Sequence, residues 1–141
     1  MAVGASVRTL RAFLKDEREA AARYRRALPR LADKAETDEL SACLESHERR
    51  IATLERRIRE MGEEIGAPVA DEGADGDGAD GIRDGNGISA LEESEDRALK
   101  HYLDDVGKLD GETRRMVARE ILPEQVRTYD CVTDLRLTRL D

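Results

Sequence analysis

A chain of 141 residues with 40% charged and 3% aromatic side chains, and no tryptophan, can bury a core but offers little for sheets. Its formal net charge of −8 works against a sequence-independent nucleic-acid binder, which needs a basic surface to neutralise phosphates. No run approaches the roughly 20 apolar residues of a membrane span, and the N-terminus lacks the basic start and apolar core of a secretory leader. The expectation is a single all-α domain over residues 1–141, cytoplasmic, with no nucleic-acid or membrane partner.

The first helix is expected over about 6–34. Its stripe is Val7, Leu10, Leu14, Glu17, Ala21, Tyr24, Leu28 and Leu31, in steps of three and four. Pro29 removes a backbone donor, and the stripe continuing beyond it favours a kink over a break. A turn near Glu36, with Thr37 or Asp38 as N-cap, leads into a second helix over about 38–65. That helix carries Leu40, Leu44, His47, Ile51, Leu54, Ile58, Met61 and Ile65 on its seam, with Gly66 and Pro68 as its stop. Arg49, Arg50, Arg56, Arg57 and Arg59 fall off the seam and read as solvated charge.

Residues 66–87 are rich in Gly and Asp and cannot build a core. Asp75 and Asp77 match the first and third places of an EF-hand-like loop. Ala79, Asp80 and Asn86 fail at the fifth, sixth and twelfth, so a solvated crossing loop is the better reading. The third helix, about 88–107, opens on Ser89 with Glu92 in capping-box spacing. Its stripe is Ile88, Leu91, Glu95, Ala98 with Leu99, Tyr102, Val106 and Leu109. The fourth helix, about 111–139, places Val117, Ile121, Glu124, Thr128, Cys131 and Leu135 together, with a kink or break at Pro123. Short links force antiparallel neighbours, whereas the long middle link lets the third helix return along the bundle. Cys43 and Cys131 read as small buried thiols in separate helices, since two cysteines make neither a metal knuckle nor a disulfide framework.

One pattern is written twice. Glu17, Ala20 and Tyr24 in the first helix, and Glu95, Ala98 and Tyr102 in the third, both fit E-x-x-A-x-x-x-Y. Residues at i, i+3 and i+7 share a helical face, so both acids point inward. Each seam then carries a polar intruder near mid-helix: Glu17, His47, Glu95 and Glu124. A buried carboxylate is costly unless paired or bound to a cation, so these four should form a hydrogen-bonded network or a metal site. The tyrosine hydroxyls are expected to bond the opposing carboxylates.

These motifs, with His47-x-x-Arg50-Ile51-x-x-Leu54 leading to Gly66-x-Pro68, resemble the ferritin-like, rubrerythrin-related superfamily. They are closest to a bacterial and archaeal branch catalogued as a domain of unknown function. The resemblance covers most of the chain. It implies an antiparallel four-helix bundle with one long crossover between helices 2 and 3, a homodimer through bundle faces, and a stress-related role. It also implies a di-metal plan: one Glu from each of two helices and Glu-x-x-His from the other two. By that analogy Glu17, His47, Glu95 and Glu124 are the metal ligands, with iron or manganese as the metal. Leu44 stands where the second helix's Glu belongs, and Arg127 where the fourth helix's histidine belongs. Glu45, Glu48 and Glu120 complete the set only if their helices rotate, and His101 lies off the third seam. At most four of six ligands remain, which favours a non-catalytic bundle with a degenerate site over an iron, oxygen or peroxide enzyme. In that case Arg127 is expected to neutralise a carboxylate by a bidentate pair.

Overall fold

The computed structural model describes residues 2–66 and 87–140. Among these residues five α-helices make four rods. These are α1 (Ala2–Ala27), α2 (Lys34–Glu60), α3 (Gly87–Asp105), and a last rod in which α4 (Gly111–Met116) passes through a π-turn (Val117–Ile121) into α5 (Leu122–Leu140). Cross-rod contacts fix their directions. Arg18 meets Glu55 and Arg25 meets Glu48, so α1 and α2 are antiparallel. Tyr24 with Glu95 and Tyr102 with Glu17 make α1 and α3 antiparallel. Glu92 with Arg136 and Glu95 with Thr128 do the same for α3 and α5. Ser46 with Glu124 and Arg57 with Thr113 complete the square between α2 and the last rod.

Neighbours are therefore antiparallel all round, and α2 and α3 lie parallel across the diagonal. A chain leaving the 27-residue α2 must return about 40 Å, at 1.5 Å per residue, before α3 can begin. This is the expected all-α four-helix bundle with a long link between its second and third helices. The EF-hand-like spacing at Asp75 and Asp77 lies outside the described residues. Among the described residues no helix is long and apolar enough to cross a membrane.

Several boundaries differ from expectation, each for a local reason. Pro29 breaks the first helix instead of kinking it: α1 ends at Ala27 and a 3₁₀ turn, Leu28–Arg30, follows. The N-cap of α2 is Asp33, whose Oδ1 accepts from the Glu36 amide at 2.9 Å, so the helix starts four residues before the expected position. Its stop is Gly62 and not Gly66. The Gly62 amide bonds Arg59 O at 2.9 Å and the Glu63 amide bonds Ile58 O at 3.2 Å, a Schellman pair closed by a left-handed glycine at φ 81°. Ser89 lies within α3, which begins at Gly87. In the last rod the chain widens into the π-turn just before Pro123, whose ring would otherwise press on the carbonyl of Arg119.

The core is layered. Leu10, Phe13, Leu14, Leu54, Ile58, Leu109, Val117 and Ile121 form one apolar cluster. Ala27, Leu40, Cys43, Ile88, Leu91 and Val132 form a second. Between them lies a layer of buried polar side chains. Both cysteines are free thiols, with Cys43 buried and Cys131 half-buried, and burial pushes the Cys43 thiol up.

Truncation in a cluster should be felt and truncation outside it should not. Leu54→Ala, at a site with 0% exposure, is expected to lose about 2–5 kcal/mol in urea unfolding. Leu103→Ala, at 59% exposure, is expected to stay within about 0.5 kcal/mol of the parent.

Candidate functional site

The polar layer is built around His47. Its Nδ1 lies 2.6 Å from Glu17 Oε1 and its Nε2 2.7 Å from Glu95 Oε2, so one imidazole bridges two carboxylates from α1 and α3. All three side chains are at most 2% exposed. Only a ring that carries both protons can donate to both acids. Burial alone would lower the His47 pKa, but its bonds to Glu17 and Glu95 outweigh burial and raise it. Glu95 moves the other way: burial opposes ionisation, and the bonds from His47 and Tyr24 overcome it and lower its pKa.

The doubled motif closes the layer reciprocally. Tyr24 of α1 donates to Glu95 Oε2 at 2.5 Å, and Tyr102 of α3 donates to Glu17 Oε2. Antiparallel packing places the tyrosine of each copy, about two turns after its glutamate, beside the other copy's acid. Burial and the adjacent carboxylate raise both phenols well above their ordinary range. The expectation that these hydroxyls serve the opposing acids is met.

A second cation lies in the same layer. Arg50, 1% exposed, donates through Nη1 to Glu17 Oε2 at 3.3 Å and to Gln125 Oε1. Its Nη2 reaches Thr128 Oγ1 at 3.1 Å and its Nε reaches Ser46 O at 3.3 Å. Gln125 Nε2 then donates to Glu95 Oε1 at 2.8 Å and to the Glu95 carbonyl at 2.9 Å. The Thr128 hydroxyl spends its single proton on Glu95 Oε1 at 2.8 Å and accepts from Arg50 with its oxygen. Two carboxylates face one imidazolium and one guanidinium, so the formal charge of the layer is zero.

Of the four residues expected together, the structure brings three into contact: Glu17, His47 and Glu95. Glu124 stands apart, its side chain 33% exposed. It is held by Ser46 Oγ at 2.7 Å and, bidentately, by Arg127 at 2.8 and 3.4 Å. Bonds from Arg127 first, and Ser46 next, bring its carboxyl down to about 2. Arg127 thus does neutralise a carboxylate, though at the rim. The π-turn explains the displacement. An i→i+5 turn takes an extra residue, so the buried seam runs Thr113, Val117, Ile121, Gln125, Thr128, Val132 and passes to Gln125 where regular helix would present Glu124.

Arg50 corrects the sequence reading outright. It is among the largest fully buried side chains and not part of a solvated face, because the buried seam of α2 runs Leu40, Cys43, His47, Arg50, Leu54 and Ile58. Glu45, Glu48 and Glu120 face outward, and His101 is half-buried off the seam. A signal for the missed residues does exist. His47-x-x-Arg50 and Gln125-x-x-Thr128 are both i, i+3 pairs on the second and last rods, the spacing at which a di-metal plan sets Glu-x-x-His.

Those residues do not fit a pair of divalent ions. Each carboxylate oxygen of Glu17 and Glu95 already accepts at least one donor, both His47 nitrogens are engaged, and a fixed guanidinium lies against Glu17. Among the described residues no group of three His, Cys, Asp or Glu has the geometry to hold a metal ion. What the layer does chemically is hold protons and cancel charge.

Removing one partner should expose that balance. Arg50→Met leaves a buried carboxylate short of a cation and is expected to cost about 3–5 kcal/mol in chemical unfolding. Tyr102→Phe removes one bond to a charged acceptor and should cost about 1.5–3 kcal/mol. Stability should also depend on pH with two limbs. The His47 pKa is raised on folding, so its contribution is complete below about pH 6.5 and is lost as pH climbs through the folded value. The Glu95 pKa is lowered, so its contribution holds above the ordinary carboxylate range and disappears as pH falls through the folded value. Urea midpoints measured from acid to alkaline pH should peak between the limbs, and His47→Gln should flatten the alkaline one.

Comparison with protein-family models, with curated proteins and with solved structures gives no match to this chain.

Proposed function

We propose that the protein is a ferritin-like bundle in which a protonated histidine and an arginine fill the place that metal ions hold in the di-metal plan. In this reading it is a non-catalytic, homodimeric helical protein, serving the stress-related kind of role that the sequence resemblance implies. The observation that supports it is a single one: His47 bridges Glu17 and Glu95 while Arg50 sits against Glu17 in the same sealed layer. Two positive charges supplied by side chains answer the two carboxylates, and a hydroxyl or amide donor covers the remaining lone pairs. Leu44 and Arg127, at the positions where that plan needs a glutamate and a histidine, support the same reading.

Convergence of two carboxylates on one imidazole also favours a second reading, a carboxylate-bridged iron or manganese protein with Glu17, His47, Glu95 and Glu124 as ligands. It requires Arg50 to leave Glu17, and Glu124 to leave Ser46 and Arg127. Elemental analysis of protein produced with iron and manganese in the medium separates the two. The first reading expects far less than one equivalent of either metal in a folded chain. About two equivalents, lost in Glu17→Ala and Glu95→Ala, would establish the second. Sedimentation analysis tests the dimer, which a monomer at all concentrations would refute.

A further inference from the structure

Away from the polar layer, a cleft of about 310 Å³ opens along the outer face between α1 and α3. Ala98 contributes a small apolar part of its lining. At one end Asp16 pairs with His101 Nδ1, and His101 Nε2 lies 3.0 Å from Asp105. At the other end stand Arg23, Arg97 and Ser94. Glu19 lies between.

The basic end is unusual in its unmet charge. Six described arginines are at least partly buried: Arg18, Arg23, Arg26, Arg50, Arg57 and Arg136. Arg18, Arg50, Arg57 and Arg136 each have a carboxylate within 4 Å. Arg23 and Arg26 have none. Among the described residues the hydrogen-bond partner of Arg23 is the neutral Ser94 hydroxyl, at 3.3 Å. Arg26, one turn further along α1, has its Nε and Nη2 buried without a hydrogen-bond partner. Burial first, then the charges of Arg97 and Arg26, depress the Arg23 guanidinium from its ordinary value, and the nearby Glu19 and Asp16 offset this only in part. In a chain with eight excess negative charges, Arg23 and Arg97 in the cleft and Arg26 beside it, none with a carboxylate within 4 Å among the described residues, form a site shaped for an anion from outside.

We propose that this cleft binds an oxyanion of the phosphate class, either free phosphate or the phosphoryl group of a small metabolite. Arg23 and Arg97 hold its oxygens, and Arg26 adds its charge from the next turn. Ser94 accepts from Arg23 and so keeps its own proton to donate to the anion. A phosphate group suits the site better than a single carboxylate, because its two negative charges and three free oxygens answer more than one guanidinium fork. The Asp16–His101 pair bounds the far end and Glu19 lies between, which leaves space for a neutral or cationic portion of the ligand and repels a second anion.

Calorimetric titration in phosphate-free buffer of low ionic strength tests the site, with inorganic phosphate and glycerol 3-phosphate as probes. Each is expected to bind saturably at one site per chain. Tighter binding of the ester identifies a metabolite as the source, and equal or weaker binding identifies free phosphate. Arg23→Gln and Arg97→Gln should each weaken binding roughly tenfold or more, the loss of a charge-assisted contact, and Glu19→Gln should tighten it. A melting curve distinguishes a ligand site from a structural role. Without phosphate, Arg23→Gln should match or exceed the parent, because it removes an unpaired, half-buried charge. With phosphate, only the parent should gain. No saturable binding of either probe, or equal binding by the Arg23→Gln/Arg97→Gln double variant, would overturn the proposal. So would a loss of stability in phosphate-free Arg23→Gln.

Discussion

Two carboxylates sealed inside a bundle of apolar seams are the constraint on which the rest of this molecule turns. Each unpaired buried ion is penalised by an amount on the order of several kcal/mol, comparable to the whole net stability of a domain this size. Glu17 and Glu95 therefore dictate what the other rods contribute. The second rod answers with His47 and Arg50. The last rod supplies Gln125, which donates to Glu95 through Nε2 and accepts from Arg50 at Oε1, and Thr128, whose single hydroxyl does both. The first and third rods answer each other through Tyr24 and Tyr102. Each element bordering the layer satisfies a neighbour, and none of the charged members has a route to water.

That layer also explains how the bundle keeps its alignment. The apolar clusters on either side are made largely of Leu, Ile, Val and Ala, and such surfaces tolerate sliding by a turn with modest loss. Displacement of one rod by a turn separates His47 from one carboxylate or Arg50 from its acceptors, and a charge is stranded. Polar atoms in the middle thus discriminate between registers that the apolar ends rank almost equally. The helix caps act at the other scale: Asp33, Gly62 and Asp110 set where rods begin and end, through bonds within a few residues of chain.

How much of this the sequence disclosed depends on whether the deciding interaction is local. The seam of α1 reads from Val7 to Tyr24 as drawn, because steps of three and four suffice when every member but one is apolar. The reciprocal Tyr–Glu bonds were legible from a repeated motif and antiparallel packing. Arg50 was hidden by its neighbours. Inside Glu48-Arg49-Arg50 it looks like solvated charge, and only the carboxylates of two distant helices make its burial favourable. Gln125 was hidden by geometry: a seam projected at 3.6 residues per turn selects Glu124, and the π-turn before Pro123 advances it by one. Where helix ends differ from expectation, at Pro29, Asp33 and Gly62, the competing signals are all local and of similar strength, so spacing alone does not rank them.

The two fates of arginine in this chain follow from one rule about where compensation comes from. Arg50 is buried deeply and is stable there because the fold itself delivers a carboxylate, an amide oxygen, a hydroxyl and a backbone carbonyl to its nitrogens. Such a cation is effectively permanent, since a divalent ion entering the layer would have to displace a guanidinium that has no exit to solvent. Arg23 and Arg26 are buried less, yet the fold delivers them one neutral hydroxyl between them. Folding can carry that deficit because the surrounding layer is otherwise balanced and the cleft remains open to water and ions. The interior site is closed by its own counter-charges, whereas in the α1–α3 cleft Arg23 meets Glu19 and Asp16 only through space, and its guanidinium keeps donors that the fold does not use.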